Sequence, residues 1–139
     1  MSTSFNDGDA AKKAGPSITN LVVYSGDVVD AIEIVVNGTT ALPRHGGKSG
    51  VRNEINLDSG EYVTGIEGIT GQYFGAKHIA GLKIWTNTRV IGPFGTGSYL
   101  TGGQPFMKRA KGEVIAFSGS STVHTDTTEF ITELDIIEK

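Results

Sequence analysis

The sequence predicts an all-β domain assembled from three similar units, and three observations support this prediction. Glycine accounts for 20 of the 139 residues and proline for four, which is typical of short strands joined by glycine turns. Apolar and polar residues alternate along successive short segments, whereas no segment shows a sustained helical period with caps. The third observation is an internal repeat, in which similar segments recur about every 50 residues.

Nine predicted strands follow one another along the chain. Each is a short run rich in Val, Ile, Leu or aromatic residues, as in residues 31–37. Turn residues separate the runs, among them the dipeptides Asn37-Gly38 and Gly102-Gly103. The predicted strands span residues 18–25, 31–37, 53–57, 62–71, 79–86, 90–94, 104–108, 114–120 and 130–137.

The internal repeat predicts how these strands are grouped. Residues 31–37 line up with residues 81–87, and residues 133–137 resemble the start of a third copy that the N-terminal strand can complete. Three units of this length predict three sheets of about four strands each. A sheet of this size cannot bury its inner face alone, so the three are expected to pack around one axis. The alternative is a two-sheet sandwich with chance similarity between its halves.

Size and composition limit the class of protein. Residues 1–139 are expected to form a single domain with a hydrophobic core, in which residues 1–15 are loosely ordered. The absence of cysteine excludes disulfides and thiolate metal sites, and a formal charge of −3 gives no basic surface for nucleic acid. Residues 1–13 contain no apolar signal segment, and no apolar run is long enough for membrane insertion, so we expect a cytoplasmic protein.

The clearest candidate for a ligand site is a turn at residues 26–30, here called the aspartate turn. It begins at a glycine, contains Asp27 and Asp30, and leads into a predicted strand. Such a turn presents two carboxylates and its own backbone N–H groups at one place, which suits a ligand that both donates and accepts hydrogen bonds, such as a sugar. A second glycine-rich segment follows at residues 45–50, here called the glycine loop. Together the two segments suggest a carbohydrate-binding module rather than an enzyme.

Four segments give the sequence a resemblance to the jacalin-related lectins, most closely to the mannose-binding, banana-lectin-like branch. They are residues 24–30, 44–50, 57–65 and 86–95. The resemblance implies a β-prism of three Greek-key four-stranded sheets with pseudo-threefold symmetry. It also implies a lectin with no enzymatic activity and no cofactor, which recognises glycans containing mannose or glucose and forms a homodimer or a higher homo-oligomer.

The resemblance also implies a set of sugar-binding residues. The family binds sugar with a Gly-x-x-x-Asp loop that is faced by a glycine-rich loop, and the aspartate turn and the glycine loop match these two features. Asp30 would then accept hydrogen bonds from two adjacent sugar hydroxyls, O4 and O6, while backbone N–H groups donate to the ring and C6 oxygens. The lack of an aromatic shelf beside the turn argues weakly against galactose as the main ligand. The implied residues are Gly26, Asp27, Val28, Asp30, Gly46 and Gly47.

The other two copies of the repeat depart from the family pattern. In the middle copy, Ala76 and Ala80 stand where the first copy has its glycine and its terminal aspartate. In the C-terminal copy, residues 122–127 are an insertion, and Thr128 and Thr132 stand at the corresponding places. We therefore expect one sugar site in each chain, unless His124 and Asp126 of the insertion rebuild a second one.

Four other interpretations compete with a sugar site at the aspartate turn. The Asp27 carboxylate can simply satisfy backbone donors of its own turn. A calcium site needs six to eight oxygen ligands, and no further carboxylates cluster here, so no metal is expected. A glycosidase needs two carboxylates on opposite faces of the scissile bond, which one turn does not provide. A structural or assembly protein that keeps the prism scaffold with vestigial sugar sites is the main alternative to a lectin.

Overall fold

Strands form most of the chain, as predicted. The computed structural model describes residues 2–123 and 128–139. All nine predicted strands are present, and their ends differ from the predicted ones by at most three residues. The strands are β1 Ser2–Asn6, β2 Ile18–Ser25, β3 Val29–Val36, β4 Thr40–Ala41, β5 His45–Gly46, β6 Val51–Asn56, β7 Val63–Tyr73, β8 Ala76–Thr86, β9 Val90–Phe94, β10 Thr101–Arg109, β11 Val114–Val123 and β12 Glu129–Glu138.

The strands form three sheets, each centred on an antiparallel hairpin. The central hairpins are β2–β3, β7–β8 and β11–β12. The β7–β8 sheet has the order β10-β7-β8-β9, in which the fourth strand returns beside the first as in a Greek key. The β2–β3 sheet has the order β4-β3-β2-β6, with β5 also paired to β3, and the remaining sheet has the order β1-β11-β12. In the described part of the chain the sheets thus contain four, five and three strands rather than four each.

All three hairpins contribute to one hydrophobic core. Val23 of β2, Ile84 of β8 and Ile131 of β12 are each fully buried, and they belong to the same cluster of packed side chains. Because side chains alternate between the two faces of a strand, each sheet can turn one apolar face inward. The shared core confirms the predicted threefold assembly.

The N-terminal segment completes the third sheet, as the repeat predicted, and it adds a helix that the sequence analysis did not predict. Strand β1 pairs with β11, and a short helix, α1, spans Gly8–Ala14. Ala11 of this helix is buried in the core, and the N–H of Asp7 donates to the carbonyl oxygen of Phe117. The Asp7 carboxylate also contacts His45 Nε2 at 2.9 Å, which connects this segment to β5. Within the described ranges, no helix is long and apolar enough to cross a membrane.

Candidate carbohydrate-binding site

The aspartate turn joins β2 to β3 and leaves two backbone donors available. The N–H of Gly26 donates to the carbonyl oxygen of Val28 at 3.0 Å, which closes the turn. The N–H groups of Asp27 and Val28 donate to no acceptor within residues 2–123 and 128–139. A Cβ atom added at Gly26 would meet nothing within 4 Å, so this glycine faces open space. The turn therefore presents two unpaired N–H groups beside an accessible surface.

The two aspartates of the turn have different environments. Asp27 accepts a hydrogen bond from the hydroxyl of Tyr73 at 2.8 Å, and this bond raises the pKa of the tyrosine. The carboxylate of Asp30 accepts no hydrogen bond from any described residue, and the side chain is only partly exposed. Burial raises the pKa of its carboxyl. The positive charge of Arg44 partly offsets this rise in pKa, and the negative charge of Asp27 adds to it. Because a partly buried carboxylate without donors is unfavourable, Asp30 is the acceptor that is open to a ligand.

Arg44 supplies positive charge next to this carboxylate. Its guanidinium lies over the ring of Tyr24, with 3.6 Å between the guanidinium carbon and the ring centroid. Its Nε and Nη2 atoms are buried and find no hydrogen-bond acceptor in the described part of the chain. A stacked cation favours the ionised form of a nearby acid, which is the form that can accept sugar hydroxyls.

The glycine loop packs against the aspartate turn. The N–H of Gly47 donates to the carbonyl oxygen of Asp30 at 2.8 Å, so this donor is already used within the protein. A Cβ atom at Gly46 would overlap that carbonyl oxygen, and one at Gly47 would overlap the carbonyl oxygen of Glu129. Close packing of backbone thus accounts for both glycines, and their contact with a sugar stays a prediction.

Gly50, the last residue of the glycine loop, has a packing role beside Asp30 that the sequence analysis did not assign. A Cβ atom there would lie 2.6 Å from Oδ2 of Asp30 and 2.8 Å from the backbone nitrogen of Ser25. Its φ of +94° also lies in the left-handed region that favours glycine. The residue therefore makes room for the carboxylate in its present position. Nothing local in the sequence indicates this role, because Asp30 is distant from Gly50 along the chain.

Aromatic residues lie beside the aspartate turn, contrary to the sequence analysis. The Tyr73 ring contacts that of Phe74 edge-on at 4.6 Å between centroids, and the Phe74 ring lies 6.0 Å from that of Tyr99. Tyr99 belongs to the loop at residues 95–100, whose N–H groups bind the carbonyl oxygens of Gly26 and Asp27. The argument against galactose from the absence of aromatic residues is therefore wrong.

The other two hairpin turns show no equivalent arrangement of described residues. Ala80 is fully buried, and it carries no group that can hydrogen-bond a sugar. Thr132 is largely buried and donates its hydroxyl to the carbonyl oxygen of Ser120 at 3.3 Å. Residues 124–127, which include His124 and Asp126, lie outside the described residues. In the part that is described, no group of three His, Cys, Asp or Glu side chains is placed to hold a metal ion.

The fold and the site define a class of protein, and comparisons give its family. The class is a β-prism in which one hairpin turn offers unpaired hydrogen-bonding groups at the surface. The model of the Jacalin-like lectin domain matches residues 3–131 of the chain. The chain therefore belongs to the jacalin-like lectin family, whose members bind carbohydrates and are not enzymes.

Two relatives support membership of this family, and a third structure shows the common fold. Horcolin from Hordeum vulgare is 30% identical over 118 residues, covering 81% of this chain and 80% of horcolin. The structure of Malaysian banana lectin is 34% identical with a TM-score of 0.70, covering 86% of this chain and 82% of that protein. A galactose-binding lectin from Champedak was solved with Gal(β)1,3-GalNAc. It is 21% identical with a TM-score of 0.73, covering 97% of this chain and 97% of that protein, which shows the common fold.

Proposed function

We propose that this lectin binds mannose or glucose residues at the aspartate turn and does so without a metal ion. The proposal rests on one observation. One acceptor and two donors that make no hydrogen bond to any described residue lie together in the aspartate turn. The partly buried Asp30 carboxylate has no protein donor, and the N–H groups of Asp27 and Val28 have no protein acceptor. A sugar hydroxyl can donate to the carboxylate while neighbouring sugar oxygens accept from the two N–H groups.

The choice of mannose or glucose rests on the site rather than on the fold, since a β-prism relative binds galactose. Asp30 is proposed to accept from O4 and O6 together while the backbone N–H groups meet the ring and C6 oxygens. This arrangement suits the equatorial O4 that mannose and glucose share. In galactose O4 is axial, so it would meet the same carboxylate from a different direction, and we expect a poorer fit.

A single shallow site of this kind is expected to be weak. One sugar held by one carboxylate and two N–H groups should have a Kd on the order of 0.1–1 mM. Useful binding to glycan-bearing surfaces then requires several sites on one particle. We therefore propose that the chain forms a homodimer or a higher homo-oligomer.

Calorimetric titration tests the proposed function directly. The methyl α-glycosides of mannose, glucose and galactose are each titrated into the protein in buffer containing EDTA. We expect binding of the first two, with one site per chain, and at least tenfold weaker binding of the galactoside. Equal binding of the galactoside contradicts the sugar assignment, and binding that needs added Ca²⁺ contradicts the metal-free site. If no glycan on an array is bound, the scaffold has a structural role instead.

A further inference from the structure

We propose that β12 binds an extended, basic peptide segment of a partner protein as an added strand. The peptide pairs along the open edge, which is the side of β12 that faces away from β11. The inference goes beyond sugar binding, since it concerns a different surface and a different class of partner. Four features of the described residues carry it: the sheet topology, the backbone donors of β12, the groove beside this strand and its charge.

The sheet that contains β12 lacks a strand that both other sheets have. In those sheets the second strand of the central hairpin pairs with a further strand, since β8 pairs with β9 and β3 pairs with β4 and β5. β12 is the second strand of the third hairpin, and among the described residues it pairs with β11 alone. The open edge therefore lies at the position that a strand fills in the other two sheets.

The backbone of β12 offers hydrogen-bonding groups along the open edge. The N–H of Ile136 donates to Oδ1 of its own neighbour Asp135 at 2.8 Å, so β11 does not use this donor. Pairing with β11 is regular from Leu134 to Ile136, and successive residues of an antiparallel strand face its two neighbours alternately. Leu134 and Ile136 thus present their N–H and C=O groups to the open edge. Such an edge is a template for strand addition.

A groove accompanies the open edge. It has a volume of about 440 Å³ and is lined by residues of β11 and β12 on one side and of β7, β8 and β10 on the other. Leu134 and Phe106 line it and pack with the hydrophobic core, whereas Glu133, Asp135 and Lys108 line it with charged, half-exposed side chains. Side chains of a strand alternate between two faces. The groove therefore suits a segment in which apolar and charged residues alternate.

The charge of β12 indicates the sign of the partner. The strand carries four carboxylates and no basic residue. Lys77 approaches Glu133 and Lys108 approaches Asp135, but each distance from Nζ to the carboxylate oxygen is 3.9 Å, which is longer than a hydrogen bond. Exposed pairs of this kind contribute little to stability. A lysine or arginine on an added strand, directly opposite these carboxylates, is therefore favoured.

A second copy of the chain fits the open edge less well than a basic peptide does. Two β12 strands paired antiparallel about Leu134 or Asp135 would place Asp135 of one copy opposite Glu133 or Asp135 of the other. Like charges directly opposite each other destabilise a strand pair. A basic strand replaces this repulsion with attraction, and we therefore assign the edge to a partner of opposite charge.

The test uses blocked peptides of about seven residues, a usual strand length, titrated into the full chain by calorimetry. One peptide alternates valine and lysine, and a second alternates valine and glutamate. Two further forms of the lysine peptide are methylated on backbone nitrogens, one at every valine and the other at every lysine. Valines that enter the groove lie opposite Leu134 and Ile136, so their N–H groups are the donors to β12. Methylation at lysine leaves these donors intact and is the matched control.

Protein variants test the role of charge. Glu133→Lys combined with Asp135→Lys reverses the charge of two exposed side chains on β12. Glu54→Lys is the matched control, because Glu54 is an exposed carboxylate on β6, which is the edge strand of another sheet. Amide hydrogen exchange at Leu134 and Ile136 reports whether the peptide covers the open edge, and light scattering gives the oligomeric state.

We expect the lysine peptide to bind the unmodified chain at least about tenfold more tightly than the glutamate peptide and to slow amide exchange at Leu134 and Ile136. Methylation at valine should weaken binding about tenfold or more, whereas methylation at lysine should weaken it less than about threefold. The double charge reversal on β12 should invert the preference between the two peptides. Glu54→Lys should leave the preference unchanged.

Several results would overturn the added strand. If the lysine peptide does not bind at about 1 mM, the edge is not a docking site for such a strand. Equal losses from the two methylated peptides, or an equal effect of Glu54→Lys, would show attraction between charges without strand pairing. A dimeric chain whose Leu134 and Ile136 amides are protected before peptide is added would assign the edge to a second copy. None of these measurements involves sugar, so the proposed function stands or fails separately.

Discussion

The hydroxyl of Tyr73 donates a hydrogen bond to the carboxylate of Asp27 at 2.8 Å, across 46 residues of sequence. This bond gives the two aspartates of the turn separate roles. Asp27 is anchored by its side chain and offers its backbone N–H, whereas Asp30 offers its carboxylate. The bond also ties the β2–β3 turn to the β7–β8 turn, so the site depends on two sheets of the prism.

Removing this anchor should weaken sugar binding only moderately. In Tyr73→Phe the ring remains and the hydroxyl is lost, so Asp27 loses its donor and the turn is less well ordered. We expect sugar affinity to fall by about 1 kcal/mol, the usual worth of one hydrogen bond. Calorimetry with methyl α-mannoside measures this change. A loss larger than that caused by changing Asp30 would reverse the roles that we assign to the two aspartates.

Gly50→Ala should abolish sugar binding while most of the fold survives. The new Cβ atom would press on the Asp30 carboxylate, and the positive φ would become strained. Gly60→Ala is the matched control, because its φ is +80° and nothing lies within 4 Å of the added atom. Thermal unfolding and sugar titration are measured on both variants. If both bind sugar as well as the original chain does, Gly50 has no part in holding the carboxylate.

Sugar binding should weaken in acid at a higher pH than an ordinary aspartate would require. Burial raises the pKa of Asp30 above 3.8, and only the ionised carboxylate accepts from two hydroxyls. Arg44 lowers that pKa, so Arg44→Met should move the loss of binding to higher pH. Arg44→Lys keeps the charge and serves as the control. Titrations across the acid range that give the same midpoint for all three proteins would contradict this account.

The stability of the fold should depend on a different carboxylate, that of Glu61. Its side chain is almost fully buried and accepts hydrogen bonds from Arg89, Thr86 and Thr88. These bonds, that of Arg89 above all, lower its pKa from 4.5 to about 2. Because the pKa is depressed in the folded state, the stabilisation is complete above pH 4.5 and is lost as the pH falls towards 2.

Glu61→Gln tests this dependence. We expect the free energy of unfolding at neutral pH to fall by about 1.5–3 kcal/mol, since bonds to a buried charge are lost. The variant should also lose less stability in acid than the original chain does. Urea unfolding at several pH values measures both effects. Sugar affinity serves as the control, because Glu61 and its partners lie at the end of the strands opposite the aspartate turn. A loss of sugar binding in Glu61→Gln would contradict that separation.

The strands were predictable because their signals are local. Ile32 and Ile34 lie on either side of Glu33, and glycine or asparagine ends or follows several of the runs, so the alternation of side chains and the turn residues agree there. The grouping into three sheets followed from the repeat. The helix Gly8–Ala14 was missed because it has only seven residues and lacks a side-chain cap. Strands β4 and β5 were missed because two residues are too few for a pattern.

The details of the site could not be predicted, because they depend on residues that are distant in sequence. The contact of Tyr73 with Asp27 arises only when two sheets meet. Tyr99 comes to lie beside Phe74 only when β10, the strand that follows it, pairs with β7. Similarly, the sequence predicts that Gly47 binds the ligand, yet its missing Cβ makes room for the backbone of Glu129. A motif indicates where a site lies, and packing decides what each of its residues does.

The most direct test of the central claim is calorimetric titration of Asp30→Asn with methyl α-mannoside at neutral pH. The original chain should bind one sugar per chain, whereas the variant should lose about 1.5–3 kcal/mol of binding free energy. Its free energy of unfolding should not fall, because the change removes a partly buried charge that has no donor. An Asp30→Asn variant that binds the sugar with unchanged affinity would contradict the assignment of this carboxylate as the sugar acceptor.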